Sequence, residues 1–476
     1  MHLLMNLFLA LISAGFVSAL PSDIPRTHHF VANLRRNSPK APALRVSNGS
    51  QPAVFDPTTT SLQVQGIINK YSQASQFFEG IGLNPPTTPS PYTSYQAFND
   101  TPIIQYFKNS SNLVHPLSTD PSAPVPSDSS PIIGLPNTNY TDFHLMPLKD
   151  DIAAGMDVSY YGSLFFGTPG QDLTVSVDTG SADLWIPATC PSCSGSQFAP
   201  AASQTFRGSK RKVSLVYGAG RVSGTVSRDA VSLGSLTVQN QTFLSVRTES
   251  DDFMDYPSSG LLGLAFQSIS RMNTPNFFES LLSERKLPAG IFSMHLTRGV
   301  EEGSQVCFGC YDLTKTVGPI HWLNLTTKTY WTLHMDGLSA NQLQHVPTDL
   351  TAAIDSGTSL MLVPDVIAKD FYALIPGSKD ATFERGEGFY TYPCASQLTV
   401  ALSFSGRPFS MHTDDFNLGK LSEDSSECVG GIIGVNPSSG FPTNLSVVGD
   451  IFLKSWYSTY DYTGERVGFA PSVNNK

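Results

Sequence analysis

Two aspartates occupy the same short frame far apart in the chain. Asp178 lies in Val177-Asp178-Thr179-Gly180-Ser181, and Asp355 lies in Ile354-Asp355-Ser356-Gly357-Thr358, 177 residues further on. A carboxylate at the end of an apolar strand is costly to bury unless it is paired or used. A single Asp-Thr-Gly is ordinary turn composition. Two copies with matched companions require a joint explanation. Brought side by side, the carboxylates cannot both ionise cheaply and share one proton. Such a pair can hold a water, the ionised member taking a proton from it while the protonated member donates to a carbonyl oxygen. That chemistry suits amide hydrolysis without a covalent intermediate.

A second element follows each aspartate, Leu261-Leu262-Gly263 after the first and Val447-Val448-Gly449 after the second. The repeat predicts two similar lobes, each offering one aspartate. From about residue 150 onward, runs such as "DLTVSVDTG", "KVSLVYGAG" and "ERVGFAP" read as short strands between turns, so the region is expected to be mostly β. Helical patterns are few, "NTPNFFESLLSER" and "PDVIAKDFYALIPG" being the clearest.

Residues from about 20 to 145 differ in texture. They are rich in Pro, Ser, Thr and Asn, lack cysteine and show weak apolar periodicity. Such a stretch buries too little surface to offset its ordering entropy, and much of it is expected to be flexible. We read it as a removable pro-segment, with a permanent disordered arm as the alternative. The opening "MHLLMNLFLALISAGFVSA" reads as a cleaved secretory signal. No later stretch reaches the roughly 18 apolar residues a membrane span needs. The formal net charge of −10 argues against nucleic acid as a partner. Seven Asn-x-Ser/Thr sites, at Asn48, Asn99, Asn109, Asn139, Asn240, Asn324 and Asn444, gain meaning from the secretory signal. All six cysteines lie beyond residue 180, and an even count in a secreted chain points to disulfides rather than metal ligands. No metal or cofactor is expected.

Residues from about 150 to the end resemble a pepsin-family aspartic endopeptidase of the secreted fungal type. The resemblance rests on both aspartate motifs, Trp185, "YGAGRVSGT", "GLLGLAF" and "VVGDIFLKSWYSTYDYTGERVGFAP". It implies a bilobal pepsin-like fold, two β-rich lobes around a central cleft, with Asp178 and Asp355 as the catalytic pair. Ser181 and Thr358 would bond the outer carboxylate oxygens. Thr179 and Ser356 would cross-link the two loops, with Gly180 and Gly357 in the turns. Tyr217, with Gly218, Ala219 and Gly220, would form a mobile flap over bound peptide, Trp185 supplying a partner for the tyrosine hydroxyl. Ala219 stands where many relatives carry a polar or acidic residue. Leu261 and Phe253 would border the pocket beside the cut and favour bulky hydrophobic residues there. Cys394–Cys428 matches the family's C-terminal-lobe bridge, Cys190–Cys193 is a short version of its small loop, and Cys307 with Cys310 are a strained bridge or two free thiols.

The expected organisation is a signal over 1–19, a pro-segment over 20–147, an N-terminal lobe over 148–325 and a C-terminal lobe over 326–476. Expected partners are protein or peptide substrates and the chain's own pro-segment, with the protein a secreted monomer. A vacuolar address is the alternative location, and an inactive pepsin-like binding protein the alternative function. The mature chain is expected to begin near 145–150 by self-cleavage around Leu145-Met146. The basic stretch from Arg26 to Arg45 would pair with the acidic body until acid releases it. The family's inhibitory lysine, usually followed by an aromatic, has as its neighbourhood Asn139-Tyr140, with His144 and Lys149 the nearby bases and Lys149 the better candidate.

Overall fold

The computed structural model describes residues 54–81 and 144–475, apart from 218, 219, 254, 255, 342 and 343. The signal, the Arg26–Arg45 stretch, Asn139-Tyr140 and the flap residues Gly218 and Ala219 therefore lie outside the described residues.

The elements that matter for the site begin with helix α1 (Pro57–Ile81). Strands β1 (Leu145–Ala153), β2 (Met156–Phe166), β3 (Gln171–Asp178), β4 (Leu184–Pro187), β5 (Arg207–Val216), β6 (Arg221–Leu233), β7 (Leu236–Glu249) and β8 (Gly260–Gly263) build the first lobe. They are followed by β9 (Ile291–His295), β10 (Glu302–Phe308), β11 (His321–Asn324), β12 (Thr332–Ser339), β13 (His345–Ile354) and β14 (Met361–Pro364). The architecture is mostly β and bilobal, as expected.

One aspartate ends β3 and the other follows β13, and the two surroundings repeat each other. Strand β8 runs parallel to β3, with Asp178 opposite Gly263, and antiparallel to β4. The strand Leu445–Val448 likewise runs parallel to β13, with Ile354 opposite Val448, and antiparallel to β14. Each aspartate loop is thus threaded by a short apolar strand that ends in glycine. A Cβ on Gly263 would meet the Ser181 carbonyl at 2.6 Å, and one on Gly449 would strike the Thr358 carbonyl. The glycine of each repeat is the residue that lets the threading strand cross beneath its loop.

The C-terminal strands do more than close their own lobe. Trp456–Asp461 and Arg466–Pro471 leave the second lobe and enter a 13-stranded sheet between β9 and β11. Ser458 sits opposite Met294 there, so the chain end knits the lobes into one sheet. Sequence alternation specifies a strand but not its sheet, which is why this role was not visible earlier. The remaining strands form sheets of seven and four.

All three cysteine pairs are bonded, Cys190–Cys193, Cys307–Cys310 and Cys394–Cys428. Cys307 and Cys310 are bonded to each other and fully buried, so of the two alternatives the bridge is the one formed. Strand β1 starts at Leu145, ahead of the expected lobe boundary at 148, and pairs with β10 there. Met146 is completely buried, so the Leu145–Met146 bond is out of a protease's reach in this conformation.

Candidate active site

Each aspartate is held first by its own turn. Gly180 N–H donates to Asp178 Oδ1 at 2.8 Å, and Gly357 N–H donates to Asp355 Oδ1 at 2.9 Å. The Ser181 hydroxyl reaches Asp178 Oδ2 at 2.7 Å, and the Thr358 hydroxyl reaches Asp355 Oδ2 at 2.5 Å. A second layer ties loop to loop. Thr179 Oγ1 donates to the Ile354 carbonyl at 2.8 Å and accepts from Ser356 N–H at 3.0 Å. Ser356 Oγ donates to the Val177 carbonyl at 3.1 Å and accepts from Thr179 N–H at 3.1 Å. These four bonds are buried and reciprocal, so neither loop can shift without the other.

The two glycines explain the close approach of the carboxylates. A Cβ on Gly180 would collide with the Asp355 carboxylate, and a Cβ on Gly357 with the Asp178 carboxylate. Every motif residue expected from the sequence, Asp178 to Ser181 and Asp355 to Thr358, is therefore gathered into one cluster.

Lys70 of α1, rather than the candidate Lys149, lies between the aspartates, with Nζ 2.9 Å from Asp178 Oδ1 and 3.0 Å from Asp355 Oδ2. The Tyr71 hydroxyl donates to Asp355 Oδ2 at 3.0 Å. Lys149 is instead exposed on β1 and paired with Glu301. His144 lies just before β1, its Nδ1 buried and without a hydrogen-bond partner among the described residues. The expected spacing misled because 62 residues (82–143) separate α1 from the body. Local signals for α1 were nevertheless present. Asp56 accepts from Thr58 N–H at 2.9 Å as a helix cap, with Pro57 at the first helical position. Thr60, Val64, Ile67 and Tyr71 then line the buried face at helical spacing.

Lys70 sets the electrostatics. Burial alone acts to lower its ammonium pKa, but the charges and hydrogen bonds of both aspartates outweigh this and raise it. Burial raises Asp178, opposed by the Lys70 charge, and the net shift is upward. Burial also works to raise Asp355, but Lys70 and the hydrogen bonds it receives pull it below the usual carboxylate range. Lys70 therefore favours loss of protons from both carboxyl groups.

Beside the pair stands an aromatic wall from the first lobe. Trp185, Tyr217 and Phe253 have ring centroids 5.5–6.3 Å apart. Tyr217 sits where the β5–β6 hairpin turns, its N–H bonded to the Gly220 carbonyl at 2.7 Å. The Trp185 and Tyr217 rings lie 6.2 Å apart, and the indole opposes the upward push that burial gives the Tyr217 hydroxyl. A Cβ on Gly220 would press on Phe253 at 2.9 Å, so glycine there lets the hairpin turn lie against the wall. Leu261 and Phe253 line a cavity of about 450 Å³ that extends from Asp178 along this wall.

Among the described residues no cluster of His, Cys, Asp or Glu could hold a metal ion. A buried, loop-matched pair of carboxylates at the base of a cleft is equipped for acid–base activation of water.

Comparison with known proteins points the same way. The family model of eukaryotic aspartyl proteases matches residues 159–472. An aspartic protease of Phaffia rhodozyma is 35% identical over 325 residues, covering 67% of this chain and 78% of that protein. Major aspartyl peptidase 1 of Cryptococcus neoformans var. grubii is 32% identical over 341 residues, or 67% of this chain and 70% of that one. Cathepsin D of Dictyostelium discoideum is 34% identical over 330 residues, with 67% and 84% covered. With both aspartate loops inside the matched region, the chain belongs to the eukaryotic aspartyl protease family and is an aspartic endopeptidase.

Proposed function

We propose that Asp178 and Asp355 are the catalytic pair of an acid-acting endopeptidase made as a zymogen, with α1 as the plug. The observation that carries this reading is that both carboxylates, supplied by equivalent loops, are bridged by one buried lysine from a segment outside the catalytic body. With α1 withdrawn, a water would take the place of Nζ. The ionised aspartate accepts a proton from that water as its oxygen bonds to the scissile carbonyl carbon. The other aspartate gives its proton to the carbonyl oxygen. A proton then passes to the amide nitrogen, the C–N bond breaks, and the pair again holds one proton.

The same bridge makes the plug sensitive to acid. The charge of Lys70 lowers both carboxyl groups, so the docked state binds fewer protons than the open one. Docking is therefore strong at neutral pH and weakens as pH falls through the carboxylate range. Cleavage of the opened chain is proposed to occur before residue 144, because Leu145 onward is already part of the sheet. The apolar wall of Trp185, Phe253 and Leu261 supports a preference for bulky hydrophobic residues at the cut, with Tyr217 closing over them. We further propose an exported monomer. The apolar leader supports this, as do exposed sequon asparagines Asn240, Asn324 and Asn444. Among the described residues no helix is long and apolar enough to cross a membrane.

The test is digestion of a denatured protein across pH 3 to 7, with and without a pepstatin-type inhibitor, followed by sequencing of the cut sites. Inhibitor-sensitive cleavage at acidic pH between residues such as Phe, Leu and Met is expected. Cleavage that resists the inhibitor, or that clusters at Lys or Arg flanking the cut, would overturn the assignment.

A further inference from the structure

The cavity beside Asp178 does not end at the aromatic wall. Beyond Phe253 and Tyr256 it reaches the turn end of the β5–β6 hairpin, where Glu249 and Arg221 also line it. Glu249 is the last residue of β7 and stands opposite Val222 of β6. Its position is fixed by the next residue. Ser250 N–H donates to the Arg221 carbonyl at 2.9 Å, and Arg221 N–H donates to Ser250 Oγ at 2.9 Å.

The Glu249 carboxylate is half-buried, yet among the described residues it makes no hydrogen bond and no ion pair. Arg221, the adjacent cation, is exposed and does not pair with it. An unpaired carboxylate drawn partly out of water carries a cost that a cationic guest would relieve. The same cavity is also lined by Ser159, whose Oγ is buried and has no hydrogen-bond partner among the described residues. Both groups line the space that α1 partly fills with Leu62, Gln63 and Gly66.

We propose that Glu249 is a specificity-determining residue that receives a basic side chain of the peptide substrate, one or more residues away from the bond that is cut. The residue flanking the cut fills the apolar wall, and the basic one lies further along the same side of the cleft. This rests on reading the cleft as the peptide-binding site. Burial raises the empty Glu249 carboxyl to about 7. The other charged groups that line the same cavity are Arg221, Asp251, Asp178 and, while α1 is docked, Lys70. A bound ammonium or guanidinium favours ionisation, so the preference for a basic side chain grows as pH rises from about 4 toward 6.

The test uses the processed enzyme and peptides with Phe at the cut, carrying lysine or its uncharged isostere norleucine at each of the outlying positions in turn. At one position the lysine peptide should win by about five-fold in kcat/KM, through KM, and by more at pH 5.5 than at pH 4. Glu249→Gln should abolish that preference, the lysine and norleucine peptides then being cut at equal rates, and Glu249→Asp should restore part of it. The proposal is overturned if no position favours lysine, if the preference survives Glu249→Gln, or if both peptides lose rate equally. A wild-type enzyme that cuts neither peptide would instead overturn the proteolytic reading, and the proposal with it.

Discussion

The two aspartate loops are built alike but face different neighbours. On the first lobe, Asp178 looks toward the aromatic wall of Trp185, Tyr217 and Phe253 and the cavity beside it. On the second, Asp355 is fully buried and receives Tyr71 in addition to Lys70 and Thr358. The plug itself leans on the second lobe. Val54 bridges to Lys420, and Phe55 packs 5.9 Å from Phe389. Val64, Ile67 and Tyr71 share a buried cluster with Leu418, Val435, Phe441 and Leu445. The difference teaches a division of labour laid over a symmetric centre. One lobe carries the open cavity beside the pair, and the other seats the helix whose lysine bridges it.

The largest effect should come from removing the carboxylates themselves. Asp178→Asn and Asp355→Asn should each lower acid proteolysis by about a thousand-fold or more, with an unchanged thermal unfolding profile. They should differ in the plug. Asp355→Asn alters the partner of Tyr71 as well as of Lys70, so α1 should become protease-sensitive sooner than in Asp178→Asn. Equal sensitivity in the two variants would erase the asymmetry.

Next in size is Lys70→Met in the full, uncleaved chain. Removing one partner of a buried ion pair costs roughly 3–5 kcal/mol, here set against the docked state alone. At pH 6.5 the variant should bind a fluorescent cleft-directed inhibitor that the unaltered full chain excludes. Continued exclusion would mean that apolar packing on the second lobe, not the lysine, holds the plug.

The smallest change is Tyr71→Phe, which keeps the ring but removes the hydrogen bond to Asp355. A hydrogen bond to a charged group contributes about 1.5–3 kcal/mol. Because docking weakens as pH falls, the midpoint of acid release should move upward by about one pH unit. A midpoint that stays in place would show that Asp355 does not depend on α1 beyond its contact with Lys70.

Local pattern made the two-lobe arrangement and the motif residues legible. Asp-Thr-Gly and Asp-Ser-Gly, each followed by two aliphatics and a glycine, carry their own turn chemistry and their own strand signals. Trp185 and Tyr217 were readable as neighbours, but the T-shaped packing of Phe253 against both was not, since it depends on ring placement within the wall. The bonded state of Cys307 and Cys310 likewise followed from the fold. The plug was hidden for a different reason. Spacing along the chain loses its meaning across a long insertion, and 108 residues separate Lys70 from Asp178.

The sequence by itself determined the chemistry available, because a repeated carboxylate, hydroxyl and glycine at fixed spacing is a local property of the chain. It also determined the strands that present them, through alternation and turn residues. Only the tertiary structure decided what stands opposite each carboxylate. It put the C-terminal strands into the shared sheet, seated α1 on the second lobe and left Glu249 beside the cleft with no partner among the described residues. Those outcomes depend on long-range packing, in which burial of apolar surface fixes where an element lands and the charged groups it carries come to rest accordingly.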